Sequence, residues 1–246
     1  MKTSENEKIK ILEEGLAQIG IAPGPDAAGR FMLYLEELKK WNRTHNLTAI
    51  REDRQIIIKH FLDSALYLKA VDGRGRNLAD VGSGAGFPGV VLKLLRPDLT
   101  VSLIEPSWKK AAFLRHIIRR LDLSRGMSVF EGRAEEMKPG VPFDIAVTRA
   151  LWKAPDFVKK TCGIVKKGGW FVMSKGPSYA AELEGMSFEA LRLKLPFTDT
   201  MRFVIIINNG DENNIYEKDQ GKKKRIIRRG LPGFQSGPHD EGLPEP

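Results

Sequence analysis

With 246 residues, 41% of them hydrophobic and 29% charged, the chain can bury one large core and is cramped for two equal domains, which excludes a predominantly disordered protein. Its 40 Lys and Arg against 31 Asp and Glu give a formal charge of +9, a surface that favours a polyanion without identifying one. The single cysteine, Cys162, excludes an internal disulfide, and with no Cys or His neighbour at ligand spacing it gives no reason to expect a metal.

The first twenty residues are too charged for a signal peptide, and no apolar run approaches the roughly 20 residues that a membrane-spanning helix needs. The expected setting is therefore the cytoplasm, with no membrane partner. Residues 4 to about 70 carry apolar positions such as Phe31, Leu35, Leu38 and Trp41 at three- and four-residue steps, which predicts helices. The second helix is expected to start near Pro25 and Asp26 and to end before Asn46. Residues 1–72 thus form an N-terminal helical section.

From Asn77 the pattern changes to short apolar runs alternating with amphipathic stretches, the signature of βαβ units and a parallel sheet. Strands are expected near 78–81, 100–104, 127–131, 143–148, 169–174 and 201–207, and helices near 88–95, 107–121, 155–166 and 178–185. In the second of these helices Leu114, Ile117, Ile118 and Leu121 mark the core face, and Lys109, Lys110, Arg115, Arg119 and Arg120 the rest. The α/β domain should occupy residues 73–208, followed by a basic, Gly- and Pro-rich tail over 209–246 that is expected to be mostly disordered.

The segment Asn77-Leu78-Ala79-Asp80-Val81-Gly82-Ser83-Gly84-Ala85-Gly86-Phe87-Pro88-Gly89 runs a hydrophobic strand into a glycine-dense turn and a proline-started helix. Such glycines let main chain approach a ligand with no Cβ in the way. A dinucleotide-type match exists at Gly84, Gly86 and Gly89, but the first glycine at the strand end is Gly82, and from it the spacing is G-x-G-x-G. That spacing resembles motif I of class I methyltransferases, whose loop wraps S-adenosyl-L-methionine. Glu105, at the end of the second strand and about 20 residues after the loop, is placed to accept hydrogen bonds from both ribose hydroxyls. Its rival role is to cap the helix that begins near Ser107. After the third strand, the main chain at Ala134 or Glu135 could read an adenine edge. Arg149 ends the fourth strand where substrate meets cofactor, with a structural salt bridge as the alternative.

Over roughly residues 30 to 207 the chain resembles the bacterial ribosomal RNA small subunit methyltransferase G family, also called glucose-inhibited division protein B. The residues that carry the likeness are Trp41-Asn42 with Asn46-Leu47-Thr48, Lys59-His60-Phe61-Leu62-Asp63-Ser64, the glycine loop through Gly89, Gly132-Arg133-Ala134-Glu135-Glu136 and Thr148-Arg149-Ala150. The resemblance implies a Rossmann-like class I methyltransferase fold, a mostly parallel seven-stranded sheet with helices on both faces and an N-terminal helical extension. It implies methylation of guanine N7 in small-subunit (16S) ribosomal RNA, free or within a ribosomal particle, by a protein expected to be a monomer without a metal. Cofactor contacts then fall on Gly82, Phe87, Ala134, Glu135 and Arg149, with Gly84 and Glu105 added from the loop and strand pattern. His60, Asp63, Ser64 and Lys175 line the substrate side. Where relatives carry an Asp-Ser-x-x-Lys-Arg type run, this chain has Glu105-Pro106-Ser107-Trp108-Lys109-Lys110.

Guanine N7 has a lone pair and no proton, so its methylation needs alignment and no general base. Consistent with this, no Asn/Asp-Pro-Pro-aromatic motif follows the fourth strand, and Cys162 has no context for attack on cytosine. A ribose 2′-hydroxyl target with Lys175 as base stays open, as do a nicotinamide-dependent oxidoreductase and a noncatalytic RNA-binding protein. Arg43, Lys59 and the basic cluster at 222–229 are candidate phosphate contacts, and Trp108 or Phe87 could stack on a base or on adenine.

Overall fold

A computed structural model of the chain describes residues 4–149 and 152–210. The expected tail and its 222–229 cluster lie outside the described residues, apart from 209 and 210. Helix α1 (Glu5–Gln18) starts at Ser4, whose hydroxyl accepts the Glu7 N–H, and carries Glu5 and Glu7 in the first turn where the helix dipole favours them. Helix α2 (Ala27–His45) follows Asp26 and stops at Asn46, which takes a left-handed φ of 48°, as the sequence led one to expect. Its buried stripe is Phe31, Tyr34, Leu35 and Leu38.

A run of short helical pieces follows: α3 (Asp53–Ile56), a π-helical turn (Ile57–Leu62), α4 (Asp63–Ala65) and α5 (Leu68–Val71). The Glu52 carboxylate caps this run by accepting the N–H groups of Arg54 and Gln55. The wide turn buries Ile57, Ile58, Phe61 and Leu62, a local irregularity of a kind common at functional sites.

The remaining elements are β1 (Asn77–Val81), α6 (Gly89–Leu95), β2 (Thr100–Ile104), α7 (Trp108–Arg120), β3 (Met127–Phe130), β4 (Phe143–Arg149), α8 (Ala154–Thr161), β5 (Val165–Lys175), α9 (Tyr179–Glu182), β6 (Glu189–Lys194) and β7 (Met201–Asn209). They form a seven-stranded sheet in the order β3-β2-β1-β4-β5-β7-β6. Strands β1 to β5 pair in parallel, and β7 runs antiparallel to both β5 and β6. The dinucleotide-binding order 3-2-1-4-5-6 has no such inserted antiparallel strand. Strand β6 was absent from the six placed by pattern, and α8 stops at Thr161 where the pattern ran on to 166, because β5 already begins at Val165.

One hydrophobic core runs from Leu12 and Phe31 through Phe61 and Leu68 to Val91, Phe113, Val172 and Ile206, and a smaller one containing Ala79, Ile104, Phe157, Phe171 and Ile205 fills the other face. The helices of residues 1–72 and the sheet therefore share one interior. The reversal of strand order between β1 and β4 opens a crevice at the carboxyl ends of the strands, where such folds bind ligands.

Candidate active site

The turn after β1 is possible only because glycine accepts left-handed backbone: φ is 72° at Gly82, 57° at Gly84 and 95° at Gly86. A Cβ at Gly84 would meet little, with only the Gly82 carbonyl within 4 Å at 3.9 Å, whereas at Gly86 it would stand 2.6 Å from the Tyr34 hydroxyl. Asp80 fixes the far end of the turn. Its Oδ2 accepts the Gly89 N–H at 2.9 Å, and Oδ1 has no partner among the described residues. Burial pushes this carboxyl up to about 7.

On one side of the turn lies a crevice of about 480 Å³, lined among others by Gly82, Ile104, Glu105, Arg133, Ala134 and Glu135, within the roughly 300–1,000 Å³ of small-molecule sites. Glu105 is 5% exposed. Its Oε2 accepts the Gly84 N–H and its Oε1 the Ser107 N–H, both at 2.9 Å. Glu105 thus holds the main chain just before α7 and lines the crevice, and each oxygen keeps a second lone pair. Ala134 and Glu135 open a 3-10 turn (Ala134–Glu136) at the crevice wall. The Lys160 ammonium, 2.7 Å from Glu135, holds that carboxyl below its usual range and lies 5.8 Å from the Trp152 ring centroid.

The other side of the turn is filled. The Phe87 ring is 4% exposed and stacks on His60 (4.7 Å, 16°) and Tyr34 (5.4 Å, 24°), with the Arg149 guanidinium 5.0 Å from its centroid. The ring is thus no open platform for adenine or a base, and a ligand contact at Phe87 would use its main chain. Arg149 Nη2 donates to His60 Nδ1 at 3.1 Å, so Nε2 carries the imidazole proton and donates it to Thr48 Oγ1 at 2.7 Å. Burial and the Arg149 charge push His60 down to about 3, which keeps it neutral. Arg149 Nη1 donates to the Lys59 carbonyl (3.2 Å) and lies 3.7 Å from Asp63, whose other oxygen accepts Arg202 Nε at 2.6 Å.

Ser64 follows Asp63 in the chain but offers no exposed surface. It is wholly buried, because α4 turns it inward. Lys175 Nζ donates to the Trp152 carbonyl and to Glu182, both at 2.6 Å, and is thereby engaged in holding the chain after β4. His60 and Arg149 are in direct contact, and Asp63 joins them through Arg149.

Four residues with no assigned contact in the sequence reading complete the site. Tyr34 donates to the Ala85 carbonyl at 2.5 Å, so α2 holds the glycine turn. Tyr67 donates to the Thr148 carbonyl (2.6 Å) and accepts the Ser174 N–H (2.9 Å), binding the helical run to the ends of β4 and β5. Thr48 relays His60 to Asn42, and Arg202 secures Asp63. A tyrosine in an otherwise apolar stripe was the available signal, since a buried phenol needs a partner. Among the described residues, no His, Cys, Asp or Glu group is arranged to hold a metal, and no helix is long and apolar enough to cross a membrane.

The family model for rRNA small subunit methyltransferase G (GidB) matches residues 28–201. A ribosomal RNA small subunit methyltransferase G from Acetivibrio thermocellus is 36% identical over 92% of this chain and 98% of its own length. Its counterpart from Geobacter sp. is 37% identical over 80% of this chain and 96% of its own. Among solved structures, a methyltransferase from Pyrococcus furiosus aligns with a TM-score of 0.51 at 13% identity, covering 74% of this chain and 99% of its own. A putative O-methyltransferase from Klebsiella pneumoniae gives 0.50 at 12%, over 81% of this chain and 96% of its own. These two speak for the fold alone. The sequence matches span the helices, the glycine turn and the sheet together, and on them the chain belongs to the rRNA small subunit methyltransferase G family.

Proposed function

We propose that the chain transfers a methyl group from S-adenosyl-L-methionine to N7 of a guanine in small-subunit (16S) ribosomal RNA, acting as a monomer in the cytoplasm. The observation that carries this reading is that the family match over 28–201 includes the crevice walls, the left-handed glycines and the buried Glu105. The residues present fit the cofactor. Open space beside Gly84 leaves room for a close ligand, Glu105 offers acceptors to a ribose, and the main chain at Ala134 and Glu135 suits an adenine edge.

When bound, S-adenosyl-L-methionine supplies an electrophilic methyl on a sulfonium. The protein's own contribution is position. Arg149 is held by His60, Asp63 and the Lys59 carbonyl at the end of β4, so its guanidinium is preorganised beside the turn that carries Gly82 and Phe87. No general base is required for N7, in keeping with a His60 whose Nδ1 already accepts from Arg149 and a Lys175 already engaged by Glu182. The monomeric state is supported by the described surface, where Trp108 and Val141 are the large apolar side chains left exposed. The test is radiolabelled methyl transfer to unmodified small-subunit RNA and to 30S-type particles, followed by mapping of the modified atom. Label at N7 of one guanine is expected. Label on an exocyclic amine or a 2′-hydroxyl overturns the assignment.

A further inference from the structure

Trp108 is 63% exposed, whereas Trp41, the aromatic on α2, packs against Phe113 at 5.6 Å. The indole stands at a fixed place. It opens α7 directly after Ser107, whose N–H is held by Glu105 at the crevice. Around it the chain gathers positive charge. Lys109 Nζ lies 5.7 Å from the Trp108 ring centroid, Lys110 lines the crevice, and Arg133 lines it from the β3 side. Lysines in a first turn that carries no acid oppose the helix dipole, so they are not there to stabilise α7. An indole left in water likewise forgoes most of the burial that would stabilise the fold.

An exposed aromatic face set among cations matches single-stranded nucleic acid, in which every base has a π-face to stack and every phosphate a charge to neutralise. Resting on the reading of the chain as a ribosomal RNA methyltransferase, we propose that Trp108 is a docking platform for the RNA. A base flanking the target guanine stacks on the indole, and Lys109, Lys110 and Arg133 take the neighbouring phosphates. The strand then crosses the mouth of the crevice on the Glu105 side, and the platform sets which nucleotide is presented.

The test uses the full-length protein and its Trp108→Ala, Trp108→Phe and Lys109→Ala variants. The probe is unmethylated small-subunit RNA transcribed in vitro, its dissociation constant read by filter binding across a salt series. Affinity for S-adenosyl-L-methionine and methyl transfer are measured in parallel. Trp108→Ala is expected to weaken RNA binding about tenfold and Trp108→Phe no more than about threefold, as stacking predicts. Lys109→Ala should lower the slope of log K against log salt by about 0.7. Cofactor affinity should stay within about twofold throughout, as for surface changes away from a ligand. RNA affinity unchanged in Trp108→Ala overturns the inference. So does a loss of cofactor affinity that equals or exceeds the loss for RNA, which would put the indole on adenine. Methyl transfer intact with RNA binding indifferent to Trp108 defeats this inference alone. Trp108-dependent RNA binding without any methyl transfer defeats the functional reading alone.

Discussion

The two flanks of the glycine turn are built by opposite rules. Towards β2 and β3, Gly82, Glu105 and the Ala134–Glu136 turn face an open crevice, with lone pairs on Glu105 beyond those its two N–H partners use. Towards α2 and the π-helical turn, Tyr34, His60, Asp63, Arg149 and Arg202 bond to one another or to nearby main chain, and Phe87 is stacked from several sides. The difference separates receiving from holding: the first flank keeps hydrogen-bonding capacity for a ligand, and the second gives it up to make the turn rigid.

The sharpest way to break the holding flank is Asp63→Ala. Its carboxylate is nearly inaccessible and faces both Arg202 and Arg149, so removing it takes the shared anion from two part-buried guanidinium groups, at roughly 3 kcal/mol of stability read from a denaturant midpoint. Gly86→Ala should cost about 2–3 kcal/mol, since its φ is left-handed and the new methyl meets the Tyr34 hydroxyl and Val90. By contrast Gly84→Ala, with open space around it, should lose about 1–2 kcal/mol from backbone strain alone. On the receiving flank, Glu105→Gln should weaken S-adenosyl-L-methionine binding about tenfold by calorimetry, the scale of a lost charge-assisted hydrogen bond. Affinity held within about twofold would remove Glu105 from the ribose site. Tyr34→Phe takes only the bond to Ala85 and should lower stability by about 1 kcal/mol.

A pH slope tests the same turn from the side of Asp80. Asp80 is held near 7 by burial, above its ordinary value of 3.8. The folded protein thus keeps a proton that the unfolded chain has released. The stabilisation from this group is complete below about pH 4 and is lost as pH rises through about 7. Melting curves of wild type should fall across that window relative to Asp80→Asn, and parallel curves would refute the assignment.

Much of this arrangement could be read from residues in order. The strand into Gly82, the acid at Glu105 and the end of α2 at Asn46 are local signals, carried by backbone needs that only certain residues meet. Strand β6, Glu189–Lys194, escaped although Leu191-Arg192-Leu193-Lys194 alternates, because it is a short edge strand with no fully buried residue and includes Glu189, Ala190 and Lys194, types depleted in strands. The π-helical turn leaves no comparable mark. The resemblance puts Ser64 on the substrate side with His60 and Asp63, whereas only packing decides that α4 turns it inward. The same limit hid Tyr34: in sequence it is one more member of the Phe31–Leu38 stripe, and its hydroxyl matters through a carbonyl 51 residues away.

The interior shared by the first helices and the sheet has a consequence for biosynthesis. Leu12, Phe31 and Phe61 bury themselves in the same cluster as Val204 and Ile206, so an emerging nascent chain carries apolar helices whose last partners are not yet translated. Native burial is completed only when β7 slots between β5 and β6. Until then those helices are exposed to chaperones and to aggregation.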